Sequence, residues 1–310
     1  MPRRLRFIPL EGSLVEVTTR TIQGRLLLRP SPELNALVLG ALGRAQRRYG
    51  VRIHDFIFMS NHYHLLLSVQ SAFQLARFMG YLNGNLAREI ARLTGWKDKV
   101  WGRRYQAVLV SQEESAQIGR LRYILAHGAK ENLVASPRQW PGVSSLKAHL
   151  DGDTLEGVWF DRTKEFEAKR RGVELSFDER TEVERIYLTP LPCWDDLAAS
   201  TRRNLIAEMV SEIELETLVR QKETGRDPLG TAAVLAQRPT NQPRQSKRSP
   251  APFAHCASKT ERQLLWQAYE WFLRAYLDAR EKLRTARVSS FPEGAFPPPA
   301  PFVNPVLEPG

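Results

Sequence analysis

The spacing of hydrophobic positions changes repeatedly along the N-terminal half of this chain, and each change marks an element. From Leu14 to Ile22, β-branched and apolar residues alternate with polar ones, which predicts a strand. Gln23, Gly24 and Arg25 turn the chain. Ser31 and Pro32 then supply an N-cap and a first-turn proline, and Leu34, Leu37, Val38, Ala41, Leu42 and Ala45 recur at helical spacing as far as Gly50. Val51–Met59 and His62–Val69 are apolar runs separated by Ser60 and Asn61, and they read as neighbouring strands. A second helix is predicted over 72–94, with Phe73, Leu75, Phe78, Met79, Leu82, Leu86, Ile90 and Leu93 on its apolar side and Gly95 as its stop. Ala107–Val110 reads as a fourth strand and 113–127 as a third helix.

This order, β-α-β-β-α-β-α with short connections, predicts an α+β fold. Its first six elements match a ferredoxin-like split β-α-β sandwich, an antiparallel sheet with helices on one face. A mostly helical C-terminal extension follows. Residues 162–186 are charged and read as helical, and 195–224 as one or two amphipathic helices. Residues 225–259, rich in Gly, Pro, Gln, Ser and Arg, read as a loop or linker. Residues 260–286 carry a long helical pattern, and the tail from Phe291, with Pro297, Pro298 and Pro299, reads as extended. The expected organisation is a domain over 1–150, a helical extension over 151–224, a linker over 225–259, and a helix with a Pro-rich tail over 260–310.

Composition narrows the class. The 310 residues are 42% hydrophobic and 25% charged, which allows a sizeable core. No apolar run approaches the length of a membrane span, and no apolar signal segment follows the basic N-terminus. Cys193 and Cys256 are the only cysteines and lie far apart, so a disulfide framework and a cysteine zinc site are both excluded. A cytoplasmic compartment is expected. The net charge of +11 is uneven: residues 1–150 hold 22 Lys and Arg against 9 Asp and Glu, and the remainder is slightly acidic. A basic N-terminal half points to a polyanion, most simply nucleic acid; a merely soluble basic domain is the alternative.

Candidate chemistry sits on the third strand. Side chains alternate along a strand, so His62 and His64 share one face and Tyr63 takes the other. Two imidazoles on one face are placed to share a divalent metal. Alternatively, they are sheet histidines satisfied by backbone carbonyls. In the third helix, Tyr123 and His127 are four apart and lie on one face. A tyrosine beside a metal can attack a phosphodiester as a covalent nucleophile, with the metal polarising the phosphate. The competing readings are a core tyrosine with its hydroxyl at the surface and a histidine that favours the helix macrodipole.

The run Ser60–Leu67 resembles the metal-binding His-hydrophobic-His motif of the HUH superfamily. The helix bearing Tyr123 and Ile124 resembles the nucleophile helix of its single-tyrosine, insertion-sequence-type transposases. The branch it is most similar to is the REP-associated tyrosine transposases, the transposase-17 type. The likeness extends over residues 1 to about 150 and includes Thr18–Arg20, Trp101–Tyr105 and Trp140–Ser145. There are departures. Where the family helix runs Tyr-Ile-His-x-Asn-Pro-Val-Arg, this chain has Leu125 at the His position, His127 at the Asn position and Gly128 at the Pro position. Related transposases draw a third metal ligand from the fourth residue after the tyrosine, which implies that role for His127. An imidazole there suits a transition-type divalent ion at least as well.

The resemblance implies an enzyme that binds single-stranded or hairpin DNA and cuts it with a magnesium or manganese ion. Tyr123 would remain joined to the 5′ phosphate and leave a free 3′ hydroxyl. Relatives occur as monomers and as homodimers. Arg20, Arg103, Arg104, Arg120 and Arg122 are candidate phosphate contacts, and Trp101 and Tyr105 candidate platforms for unpaired bases, or else packing residues. Two other functions compete: a nucleic-acid-binding regulator that keeps the fold without catalysis, and a structural RNA-binding ferredoxin-like protein with aromatics on its sheet face.

Overall fold

The structure, a computed structural model, describes residues 4–9, 12–243, 252–286 and 289–299. Its core is a five-stranded sheet in the order β2-β3-β1-β4-β7. The strands are β1 (Ser13–Arg20), β2 (Arg52–Phe58), β3 (His62–Val69), β4 (Gln106–Val110) and β7 (Ala254–His255). The first four pair antiparallel, and β7 adds parallel to β4. Helices α1 (Pro32–Tyr49) and α2 (Ala72–Thr94) fall where the apolar periodicity places them. The Ser31 hydroxyl accepts from the Leu34 N–H and the Ser71 hydroxyl from the Gln74 N–H, while Gly50 and Gly95 close the two helices at φ 60° and 69°. The β-α-β-β-α-β order with this strand sequence is the ferredoxin-like topology.

The sheet is covered on both faces, so β3 is buried at every residue. One face, with Val15, Val17, Tyr63, Leu65 and Leu67, packs against α1 and α2. The other, with Leu14, Ile57 and Leu66, packs against the helix that follows β4, α3 (Glu114–Leu125). A one-residue step at Ala126 separates α3 from a short α4 (His127–Lys130), where the sequence predicts one continuous helix. Further along are α5 (Leu146–Asp151), β5 (Leu155–Phe160), α6 (Arg162–Arg170), β6 (Thr181–Ile186), α7 (Ala199–Thr224), α8 (Thr231–Ala236) and α9 (Lys259–Ala286).

Two expectations for the extension need correction. Residues 181–186 are a strand, not helix; β6 pairs antiparallel with β5. Its charges obscured the alternation: buried Glu184 bonds Arg44 and Arg47 of α1, both at 2.7 Å, so a carboxylate occupies an inward position that reads as exposed. The presumed linker contains α8 and β7; its residues 244–251 lie outside the described residues, as do 300–310 of the tail. Trp194, Ile206, Met209, Val210 and Ile213 share the α3-side core with Ile57, Leu66 and Ile124, so the extension and the sheet are packed as one.

A buried histidine joins them as well. His54 on β2 donates Nδ1–H to the carbonyls of Pro190 and Thr189, at 2.6 and 3.0 Å, and its Nε2 meets the Ser68 hydroxyl at 2.6 Å. Burial pushes its pKa down to about 4, against the opposing effect of the two carbonyls. The unfolded chain, with a histidine near 6.5, takes up the proton first. The stability His54 contributes is therefore complete above pH 6.5 and is lost as pH falls toward 4, by about 3 kcal/mol in total. Urea unfolding between pH 7 and 4 should show this dependence in the wild type and a correspondingly shallower one in His54→Gln.

Candidate metal and nucleophile site

The α3-side face of β3 carries both strand histidines. In the β1–β3 register, Arg20 lies opposite His62 and Thr18 opposite His64. Ala126 keeps helical dihedrals between α3 and α4, so His127 lies one turn beyond Tyr123 and reaches the same spot. The three imidazoles are buried, and one nitrogen from each lies within 4.8 Å of the others. Among the described residues this is the single group of three or more His, Cys, Asp or Glu side chains so placed.

Hydrogen bonds orient the rings. Asn61 Oδ1 takes His62 Nδ1–H at 2.6 Å, and Glu16 Oε1 takes His64 Nδ1–H at 2.8 Å, with Thr18 Oγ1 3.2 Å from the same nitrogen. Holding Nδ1–H in this way leaves the Nε2 lone pair free to coordinate, the arrangement that fixes tautomers around bound metals. His62 Nε2 lies 2.8 Å from His127 Nε2, while the buried His127 Nδ1 has no protein partner. Two facing nitrogens need a proton or a cation between them, and three imidazoles with an orphaned buried nitrogen fit a divalent ion. Burial holds the His62 pKa well below the usual range, reinforced by His64 and His127, and holds His127 at about 2, reinforced by His64 and Lys130. These two rings are neutral at physiological pH.

Tyr123 reaches the same cluster from α3. Its ring centroid is 5.6 Å from that of His64 and 5.3 Å from that of His127. Arg120 and Lys130 lie over the ring at 4.6 and 4.2 Å. The phenol pKa is raised by burial and by the Glu16 carboxylate, with Arg120 opposing, so the hydroxyl is protonated at neutral pH. A cleft of about 370 Å³ opens beside the ring between α3, α4 and α7, and Arg120, Arg122, Lys130 and Arg220 line it.

The other sequence candidates divide. Arg20 is exposed at the His62 end of β1, and its carbonyl accepts from the Gly102 N–H at 3.0 Å, which brings the exposed Arg103 and Arg104 to that end. Arg120 reaches Glu16 at 3.4 Å, and Arg122 pairs with Glu216 at 2.9 Å. Trp101 donates its indole N–H to the Asn83 carbonyl at 2.8 Å and packs edge-on against Tyr63. Tyr105 is 8% exposed in the main core beneath Arg6, so its ring is committed to packing rather than open to a base. Sequence reasoning missed Glu16, Asn61 and His255 around the site. Glu16 alone had a signal, a carboxylate on the inward phase of an alternating strand.

Residues 33–126, which carry the strand histidines and the helix tyrosine of this site, are similar to a family of transposases, which are enzymes acting on DNA. The matching model is described as "Transposase IS200 like" and covers residues 33–126. The match includes His62, His64 and Tyr123 and stops one residue short of His127. No curated protein matches the chain. Among solved structures, a REP-associated tyrosine transposase bound to a REP hairpin is 15% identical, with a TM-score of 0.40, covering 49% of this chain and 86% of the other. A protein from Deinococcus radiodurans named as a transposase is 19% identical, with a TM-score of 0.28, covering 39% of this chain and 94% of the other. Among the described residues no helix is long and apolar enough to cross a membrane.

Proposed function

We propose that the chain is a metal-dependent single-strand DNA endonuclease and strand transferase of the REP-associated type, acting on hairpin or palindromic DNA through a 5′-phosphotyrosine. The observation that carries this reading is the meeting of Tyr123 with His64 of β3 and His127 of α4, two members of a three-histidine cluster completed by His62. His62, His64 and His127 would hold the ion, which supplies polarisation of the scissile phosphate and charge stabilisation. Tyr123 Oη attacks phosphorus and loses its proton, the P–O3′ bond breaks, and the departing oxygen takes up a proton to become a 3′ hydroxyl. Strand joining is the reverse, with a 3′ hydroxyl attacking the phosphotyrosine. Arg120, Arg122, Lys130 and Arg220 would seat the backbone in the cleft, and Arg20, Arg103 and Arg104 would extend that track.

Tyr63 does not compete as nucleophile. It points to the opposite face of the sheet, and its buried hydroxyl is held by Thr19 at 2.9 Å and Asn83 at 2.5 Å. The donor set also bears on the ion. Three nitrogen ligands suit a transition-type ion, whereas magnesium prefers oxygen. Manganese is therefore expected to support cleavage at lower concentration than magnesium, and titrating each ion into a cleavage assay checks this. The function itself is tested with 5′- and 3′-labelled hairpin DNA, denaturing gels and peptide mapping. A covalent adduct on the 5′ side of the break, mapped to Tyr123, is expected. An adduct on another tyrosine, or cleavage with no adduct, overturns the assignment.

A further inference from the structure

We propose that His255, from the C-terminal segment, is a positioning residue for the metal centre: it fixes the Glu16 carboxylate, which in turn fixes His64. The inference rests on the metal-site reading above. Glu16 is 5% exposed and lies beneath the histidine cluster on β1. Its two oxygens are divided between two rings. Oε1 takes the His64 Nδ1–H at 2.8 Å, and Oε2 lies 2.8 Å from His255 Nε2, with Arg120 Nη1 farther off at 3.4 Å.

A carboxylate seated between two imidazole nitrogens, each 2.8 Å from one of its oxygens, accepts from both, and each of those nitrogens then carries the hydrogen. For His64, that hydrogen sets the tautomer that presents Nε2 to an ion. The terminal torsion of a glutamate is soft. A carboxylate held at one oxygen can turn, and one held at both cannot. His255 supplies the second point, at a normal hydrogen-bond distance that Arg120 does not match.

The route by which His255 arrives makes the idea testable. Main-chain pairing holds β7: Ala254 and His255 register with Leu109 and Val110, and the Ser111 N–H donates to the His255 carbonyl at 2.9 Å. The Glu113 carboxylate then accepts from the N–H groups of Ala257 and Ser258, at 2.7 and 2.9 Å. None of these bonds uses the imidazole, so the ring can be exchanged while the strand stays in place. The same turn starts α3, so the segment that carries His255 is anchored at the base of the helix that carries Tyr123.

The experiment is manganese binding to the full chain without DNA, followed by the electron paramagnetic resonance signal of free Mn²⁺. Groups that orient a metal ligand typically alter affinity by about 10- to 100-fold. His255→Ala and His255→Phe should weaken binding by about 10-fold or more, whereas His255→Gln, whose amide can still donate to Glu16, should stay within about threefold of wild type. Urea unfolding of each variant separates loss of fold from loss of affinity; should His255→Ala unfold, the Phe and Gln variants, which fill the site, decide. Wild-type affinity in His255→Phe overturns the proposal, and so does equal weakening by Phe and Gln, because the hydrogen bond would then be irrelevant. His62→Ala is the control on the underlying reading. If wild type binds no manganese, or His62→Ala binds it undiminished, the metal site itself is wrong. If His62→Ala loses binding and His255→Phe does not, only the role of His255 falls.

Discussion

Tyr123→Phe is expected to bind hairpin DNA with nearly wild-type affinity, to form no covalent adduct, and to cleave slower by on the order of 10⁴-fold or more, as nucleophile deletions do. The substitution removes one oxygen and leaves the ring. That ring is half-buried against the α3-side core and the two imidazoles, and Arg120 and Lys130 keep its face as their partner. Fold, cleft and cationic lining should therefore persist. The raised phenol pKa explains why the tyrosine cannot act by itself. A protonated hydroxyl is a weak nucleophile and attacks only a phosphate already polarised and held in line. Adduct formation on denaturing gels, beside a binding isotherm for the same hairpin, checks the prediction. Undiminished adduct in Tyr123→Phe would remove Tyr123 from the mechanism.

His62→Ala and His64→Ala are expected to lose manganese binding by more than about 100-fold, since they delete ligands rather than their supports. Cleavage should fall by on the order of 10³-fold, the worth of several kcal/mol of charge stabilisation. DNA affinity should change little, because phosphate binding is assigned to the arginines and Lys130 and not to the rings. His127→Ala should be milder: two ordered ligands remain, so some adduct should form at higher metal concentration. Its ring stands against both strand histidines, at centroid separations of 4.9 and 4.5 Å. Metal titrations monitored by both binding and cleavage distinguish these outcomes. Full cleavage by His64→Ala, or cleavage in excess chelator, would show that the cluster is not the metal centre.

The local parts of this protein were written in short-range pattern. Ser31, Pro32 and Gly50 bound α1, and Ser71 and Gly95 bound α2, because capping involves atoms only a few residues apart. Strand alternation put His62 and His64 on one face without any knowledge of the fold, and helical spacing put Tyr123 and His127 on one side of α3 and α4. Other parts depended on partners distant in the chain. Glu184 reads as a solvent residue until Arg44 and Arg47, 140 and 137 positions away, neutralise it, and so β6 reads as helix. Trp101 and Tyr105 look alike as aromatic platforms in a basic loop, and only packing shows that Tyr105 is enclosed. His255 lies in a stretch with no periodicity at all. It acquires meaning when a two-residue strand pairs with β4 and brings it to Glu16, 2.8 Å away. The proposed ligand residues and the proposed nucleophile were legible because helix and strand periods are properties of adjacent residues. The groups that orient them were not, because register between distant strands is decided by the packing of the whole sheet.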